Sequence, residues 1–113
     1  MNQRVFRAGS ILVSMLSILF LFAVSVRAQS DGPSVYKAKC AMCHAPDGSG
    51  NSPTGKSMKV PDLRSADVQK KTDAQLIEAT ANGMGKMPAY KGKLTDDQIK
   101  QVVAYIRELA KKK

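Results

Sequence analysis

Both cysteines and the single histidine of this 113-residue chain fall within five positions, Cys40-Ala41-Met42-Cys43-His44. Thiols three apart lie on one face of a helical turn, and a histidine four after the first thiol can swing under whatever those thiols hold. Several kinds of site use such residues, and most need something more than the chain offers. A closed zinc site takes four Cys or His ligands, so carboxylates would have to complete it here. A thioredoxin-like dithiol belongs to a βαβ unit, whereas Cys43 is followed by the turn-rich run Ala45-Pro46-Asp47-Gly48-Ser49-Gly50. A disulfide between residues three apart closes too small a loop to stabilise much. The reading that asks for no further residue is C-x-x-C-H as the attachment site of one haem c. Each thiol then adds to one vinyl group, and His44 supplies an imidazole nitrogen to the iron.

Residues 1–28 read as a secretory leader. Arg4 and Arg7 form a basic start, Ile11 to Val26 is apolar apart from serines, and Val26-Arg27-Ala28 is a small-residue cleavage pattern. An uncleaved anchor is the alternative, but the apolar run is shorter than the roughly 20 residues that span a bilayer comfortably. Cleavage after Ala28 is therefore expected, with a periplasmic or otherwise exported product and no stable membrane insertion afterwards. Export agrees with the motif, because covalent haem attachment in bacteria takes place outside the cytoplasm.

Residues 29–113 remain as one domain, small enough that its core is thin and without a single tryptophan. A buried porphyrin would supply the missing apolar mass. The three leader arginines gone, 15 Lys and Arg stand against 9 Asp and Glu. Two ionised propionates would lower the resulting +6 to about +4. With no basic stripe interleaved by aromatics, that excess does not point to nucleic acid. A monomer is expected.

The mature stretch reads as helical throughout. Asp31-Gly32-Pro33-Ser34 is a helix start that leads into Cys40. Residues 47–59, with three glycines and a proline, read as a loop that wraps a cofactor. Short turns are expected over 62–70. Thr72 and Gln75 form a capping box for a helix ending at Asn82-Gly83, with Leu76, Ile77 and Thr80 inward. Thr95 and Gln98 cap the last helix, where Asp96 and Asp97 complement the dipole and Leu94 staples to Ile99. Its apolar stripe is Ile99, Val102, Val103, Ile106 and Leu109. No stretch alternates as a strand would. The expected fold is all-α, three to five short helices around one covalent haem.

A six-coordinate iron needs a ligand opposite His44, and the remaining soft donors are Met42, Met58, Met84 and Met87. Met42 lies inside the motif and cannot reach across. Met87 precedes Pro88, which fixes an extended turn, in a loop opened by Gly83 and Gly85 between two helices. It is the first choice, with Met84 the main competitor and Met58 a third. His44 and Met87 together would close both faces of the iron, raise its potential and leave one-electron transfer as its chemistry. The competing reading is a five-coordinate haem enzyme or gas sensor with a labile Met ligand. Against it, the far side has no histidine for acid–base work, and Arg64 would have to substitute.

Taken together, Val35-Tyr36 ahead of the motif, Pro53 after it, Asn82-Gly83 leading to Lys86-Met87-Pro88-Ala89-Tyr90, and Val103-Ala104-Tyr105-Ile106 near the end resemble a small monohaem class I cytochrome c of the bacterial and photosynthetic soluble type. The resemblance covers nearly all of residues 33–110. It implies an electron carrier rather than an enzyme, working between redox partners. It further implies that the Pro53 carbonyl orients His44, and that Tyr36 and Tyr105 meet where the first and last helices cross. The haem edge of such proteins is exposed beside the thioethers, and Lys39, Lys56, Lys86, Lys91 and Lys93 could ring it to meet an acidic-faced oxidase or reductase. The chain lacks a tryptophan of the kind some relatives use to hold a propionate, which leaves Arg64, Lys56 and Ser57 as candidates.

Overall fold

The computed structural model describes residues 31–113, so the expected leader, residues 1–28, lies outside the described residues. Six helical segments follow one another: α1 (Gly32–Lys39), α2 (Ala41–His44), α3 (Pro53–Met58), α4 (Ala66–Gln69), α5 (Asp73–Asn82) and α6 (Asp96–Lys111). Among the described residues the only strand-like features are two isolated bridges, Met84 with Met87 and Lys91 with Leu94.

The caps explain the boundaries. Asp31 accepts the Ser34 N–H, with Pro33 in the first turn of α1, and Ser65 accepts the Val68 N–H ahead of α4. Thr72–Gln75 and Thr95–Gln98 form the two full capping boxes that their spacing predicts. Two expectations need correction. Residues 53–58 are helical rather than loop: Ser52 caps the Gly55 N–H, Pro53 takes the first position and Lys59 ends the turn at φ 54°. The chain also exceeds three to five helices, because the backbone breaks at Cys40 (φ −115°) and separates α2 from α1.

The core lies between α1, α5 and α6. Ile99, Val102 and Val103 are almost wholly buried on α6, Ile106 and Leu109 extend the stripe, and Leu94 joins them from just before the helix. Each such side chain is worth about 1.5–3 kcal/mol when fully buried. Leu76 and Thr80 face this core from α5, with Ile77 half-buried beside them. Val35 and Tyr36 bring α1 onto α6, where the Tyr36 and Tyr105 rings meet edge to face at 5.3 Å. The two helices approach closely because Gly32 lies directly on the Gln101 carbonyl, leaving no room for a Cβ.

Arg107 secures the remaining segments. Its guanidinium donates to the Gln69 carbonyl (3.0 Å), the Lys71 carbonyl and Asp73 Oδ1 (2.9 and 3.0 Å), so α6 holds the end of α4 and the start of α5. The helix-end carbonyls have no partner of their own, and the charged fork supplies one.

Gly32→Ala should lower stability by about 1–2 kcal/mol net, since overlap with the α6 backbone outweighs the better helix propensity of alanine. Denaturant unfolding of the purified protein measures it, and unchanged stability would contradict the close approach.

Candidate haem site

The Cys40 N–H donates to the Tyr36 carbonyl at 2.8 Å, which fixes the end of α1 to a core residue. The N–H groups of Cys43 and His44 then both donate to the Cys40 carbonyl, at 3.1 and 2.9 Å, so one helical turn carries all three motif residues. Ala45 leaves the turn at φ 64°, ψ 159°. Non-glycine residues enter that region at a cost of about 1–3 kcal/mol, so surrounding contacts must hold them there. One such contact is the buried Tyr36 hydroxyl, which donates to the Ala45 carbonyl at 2.7 Å. On the other flank Ser52 Oγ donates to the Cys43 carbonyl at 2.9 Å and accepts the Gly55 N–H at 3.0 Å. Gly55 packs so closely on the Cys43 and Gly50 carbonyls that a Cβ would overlap both.

Both cysteines are free and half-buried. Burial, with Cys43 nearby as a lesser cause, pushes the Cys40 thiol up to about 11. Burial of this kind favours the neutral Cys40 thiol in the turn as it stands. Among the described residues no group of three or more His, Cys, Asp or Glu side chains is gathered to hold a metal ion. Burial lowers the His44 pKa, favouring the neutral imidazole, the form able to donate a lone pair. The donor set thus fits a covalently held iron porphyrin.

One expected contact is not made. His44 Nδ1 is buried without a hydrogen-bond partner. Pro53, which opens α3, is therefore not its partner.

The methionines differ in placement. Met42 is 76% exposed and points out of the motif, and Met84 is 64% exposed. Met87 and Met58 are half-buried. Met87 sits in a hairpin-like turn in which the Met84 N–H donates to the Met87 carbonyl at 3.2 Å and the Met87 N–H returns to Met84 at 2.9 Å. Gly85 makes this turn possible at φ 57°, and Gly83 at φ 77° lies where a Cβ would come 2.6 Å from the Met87 carbonyl. Two bonds pin the base of the loop to the end of α5: Tyr90 N–H to Thr80 (3.1 Å) and Lys91 N–H to Ala81 (2.9 Å).

Arg64 is already matched. It donates to both oxygens of Asp62 at 3.0 Å, lies 3.6 Å from Asp47, and holds the Asp62 carboxyl below its ordinary pKa. It therefore has less to offer a propionate than the sequence implied. Lys56 and Ser57 remain exposed on α3, and Lys39, Lys86, Lys91 and Lys93 are exposed as well.

Ser52 and the Tyr36 hydroxyl were not singled out by sequence reasoning. The Ser-Pro pair at 52–53 carried the signal for the first, as a helix cap; nothing local marks the second.

A helical shell around a C-x-x-C-H turn defines a c-type cytochrome. Residues 27–106 match the family described as cytochrome c oxidase, cbb3-type, subunit III. Cytochrome c6 of Leptolyngbya boryana is 40% identical over 81 residues, covering 72% of this chain and 92% of the relative. Cytochrome c6 of Thermosynechococcus vestitus is 32% identical over 113 residues, covering 99% and 96%. The solved structure of the KustC0563 c-type cytochrome superposes with a TM-score of 0.63 at 30% identity, over 70% of this chain and 96% of that one. The chain belongs to the small monohaem class I cytochromes c. It is an electron carrier with one haem c, which Cys40 and Cys43 of the C-x-x-C-H motif fit.

Tyr36→Phe should cost about 1–3 kcal/mol of stability, because it orphans the buried Ala45 carbonyl while keeping the ring. Guanidinium unfolding of the holoprotein followed by circular dichroism gives the value.

Proposed function

We propose that this chain is an exported, monomeric one-electron carrier in which His44 and Met87 are the axial ligands of a haem held by Cys40 and Cys43. The observation that carries the reading is the placement of the motif on one rigid turn, with the loop bearing half-buried Met87 tied at its base to α5 and, through Tyr90, to the residue before Cys40. When bound, the haem supplies a reversible Fe(III)/Fe(II) couple.

The residues around it do the rest. The α2 turn fixes the imidazole, and its low proton affinity keeps the donor nitrogen free. The Met87 loop offers a neutral, polarisable thioether that favours the reduced iron and raises the potential. With both faces closed, substrate has no iron site to reach, which supports a carrier role over an enzymatic one. Cleavage after Ala28 would release residues 29–113, and no helix of the described residues is long and apolar enough to cross a membrane. Retention of residues 1–28 would instead favour a haem-carrying docking subunit of a larger membrane oxidoreductase; the matched family is described as a subunit of a cbb3-type cytochrome c oxidase.

Lys39, Lys56, Lys86, Lys91 and Lys93 supply a positive surface for an acidic-faced oxidase or reductase. Lys86→Glu with Lys91→Glu should slow bimolecular electron transfer to such a partner at low ionic strength, the gap closing as salt screens the charges. Stopped-flow rates against salt concentration measure it.

The test of ligation is optical. The oxidised parent should show the weak far-red band of a ferric iron–thioether bond, and Met87→Ala should abolish it and open the iron to carbon monoxide in the reduced state. A parent without the band, binding carbon monoxide at once, would overturn the reading.

A further inference from the structure

The Tyr90 hydroxyl donates to the Lys39 carbonyl at 2.9 Å, across 51 positions of sequence. Among the described residues this is the one hydrogen bond that joins the segment 83–94 to the segment 31–59. Its acceptor is available for a structural reason. In an unbroken helix the Lys39 carbonyl would take the Cys43 N–H, but the break at Cys40 sends that N–H to the Cys40 carbonyl instead. The carbonyl beside the first attachment cysteine is thus left for Tyr90.

The other end of the contact is equally defined. Tyr90 is half-buried against the core, its N–H is held by Thr80, and its carbonyl accepts the N–H groups of Lys93 and Leu94 at 2.9 Å. Everything between Gly83 and Tyr90 except Met87 is exposed or glycine. That stretch has no side chain of its own in the core to keep it against the attachment turn. Its position relative to Cys40 and His44 therefore depends on its two ends, and the Tyr90 hydroxyl is the end that reaches the motif.

We infer that Tyr90 is a positioning residue whose hydroxyl latches the Met87 loop to the attachment turn and sets how often the thioether leaves the iron. The inference rests on Met87 as ligand and goes beyond it, to what governs the lifetime of that bond. Tyr90→Phe removes the hydroxyl and keeps the ring. In the ferric holoprotein, imidazole enters only when the thioether has left, so its limiting binding rate reports the opening of the loop. A lost hydrogen bond should raise that rate roughly three- to tenfold, and the far-red band should vanish at a lower temperature than in the parent. Global unfolding should change less than the band does, which a merely structural role would not produce.

An imidazole rate in Tyr90→Phe equal to that of the parent would overturn the latch while leaving Met87 as ligand. A Met87→Ala protein that keeps the band would refute the ligand, and the latch with it. Should Tyr90→Phe not mature, the parent itself decides: the Tyr90 ring-edge protons should show cross-peaks to the backbone at residues 39–40. Their absence in a protein whose Tyr36 and Tyr105 rings show their mutual contact would overturn the inference.

Discussion

The contact of α1 with α6 is the constraint from which the site follows. Gly32 lies on the Gln101 carbonyl and Tyr36 stands edge-on to Tyr105, so the helix entering the attachment turn cannot slide or rotate without losing its core. From there the path to the motif is short. Tyr36 fixes the Cys40 N–H through its carbonyl and the strained Ala45 through its hydroxyl. One buried tyrosine thus brackets the turn at both ends, and a displacement of α6 would be felt at His44.

Much of this was legible in the sequence because the signals were chemical or periodic. The C-x-x-C-H spacing, both capping boxes and the stripe from Ile99 to Leu109 correspond to what the structure contains. The helix at 53–58 was missed because three glycines between 47 and 59 outweighed the Ser52-Pro53 start, and because its stop is a lysine at φ 54° where glycine is the usual sign. Gly55 looked like a loop residue, yet it is there because the Cys43 carbonyl leaves no space for a Cβ. Contacts that depend on tertiary placement had no local mark. Arg107 with Gln69, Lys71 and Asp73, Tyr90 with Lys39, and Arg64 with Asp47 each join residues whose pairing no spacing rule encodes.

The site also shows a consistent preference for neutrality. The Cys40 thiol is pushed up and the His44 imidazole down, in each case chiefly by burial. The Arg64 charge is turned to Asp62 and Asp47, on the flank where α6 ends, while the lysines remain at the surface. Fixed charge near a redox group biases its change of charge, and this arrangement leaves such charge paired or at the surface.

The order of the elements along the chain has a consequence for assembly. α1 buries Val35 and Tyr36 against a helix that begins more than fifty residues later in the chain. Until residues 96–111 are in place, α1 lacks the helix on which Val35 and Tyr36 pack, and the turn it leads into has little core behind it. The support behind the attachment turn therefore arrives only with a long-range closure of the chain, which local helix formation alone does not supply.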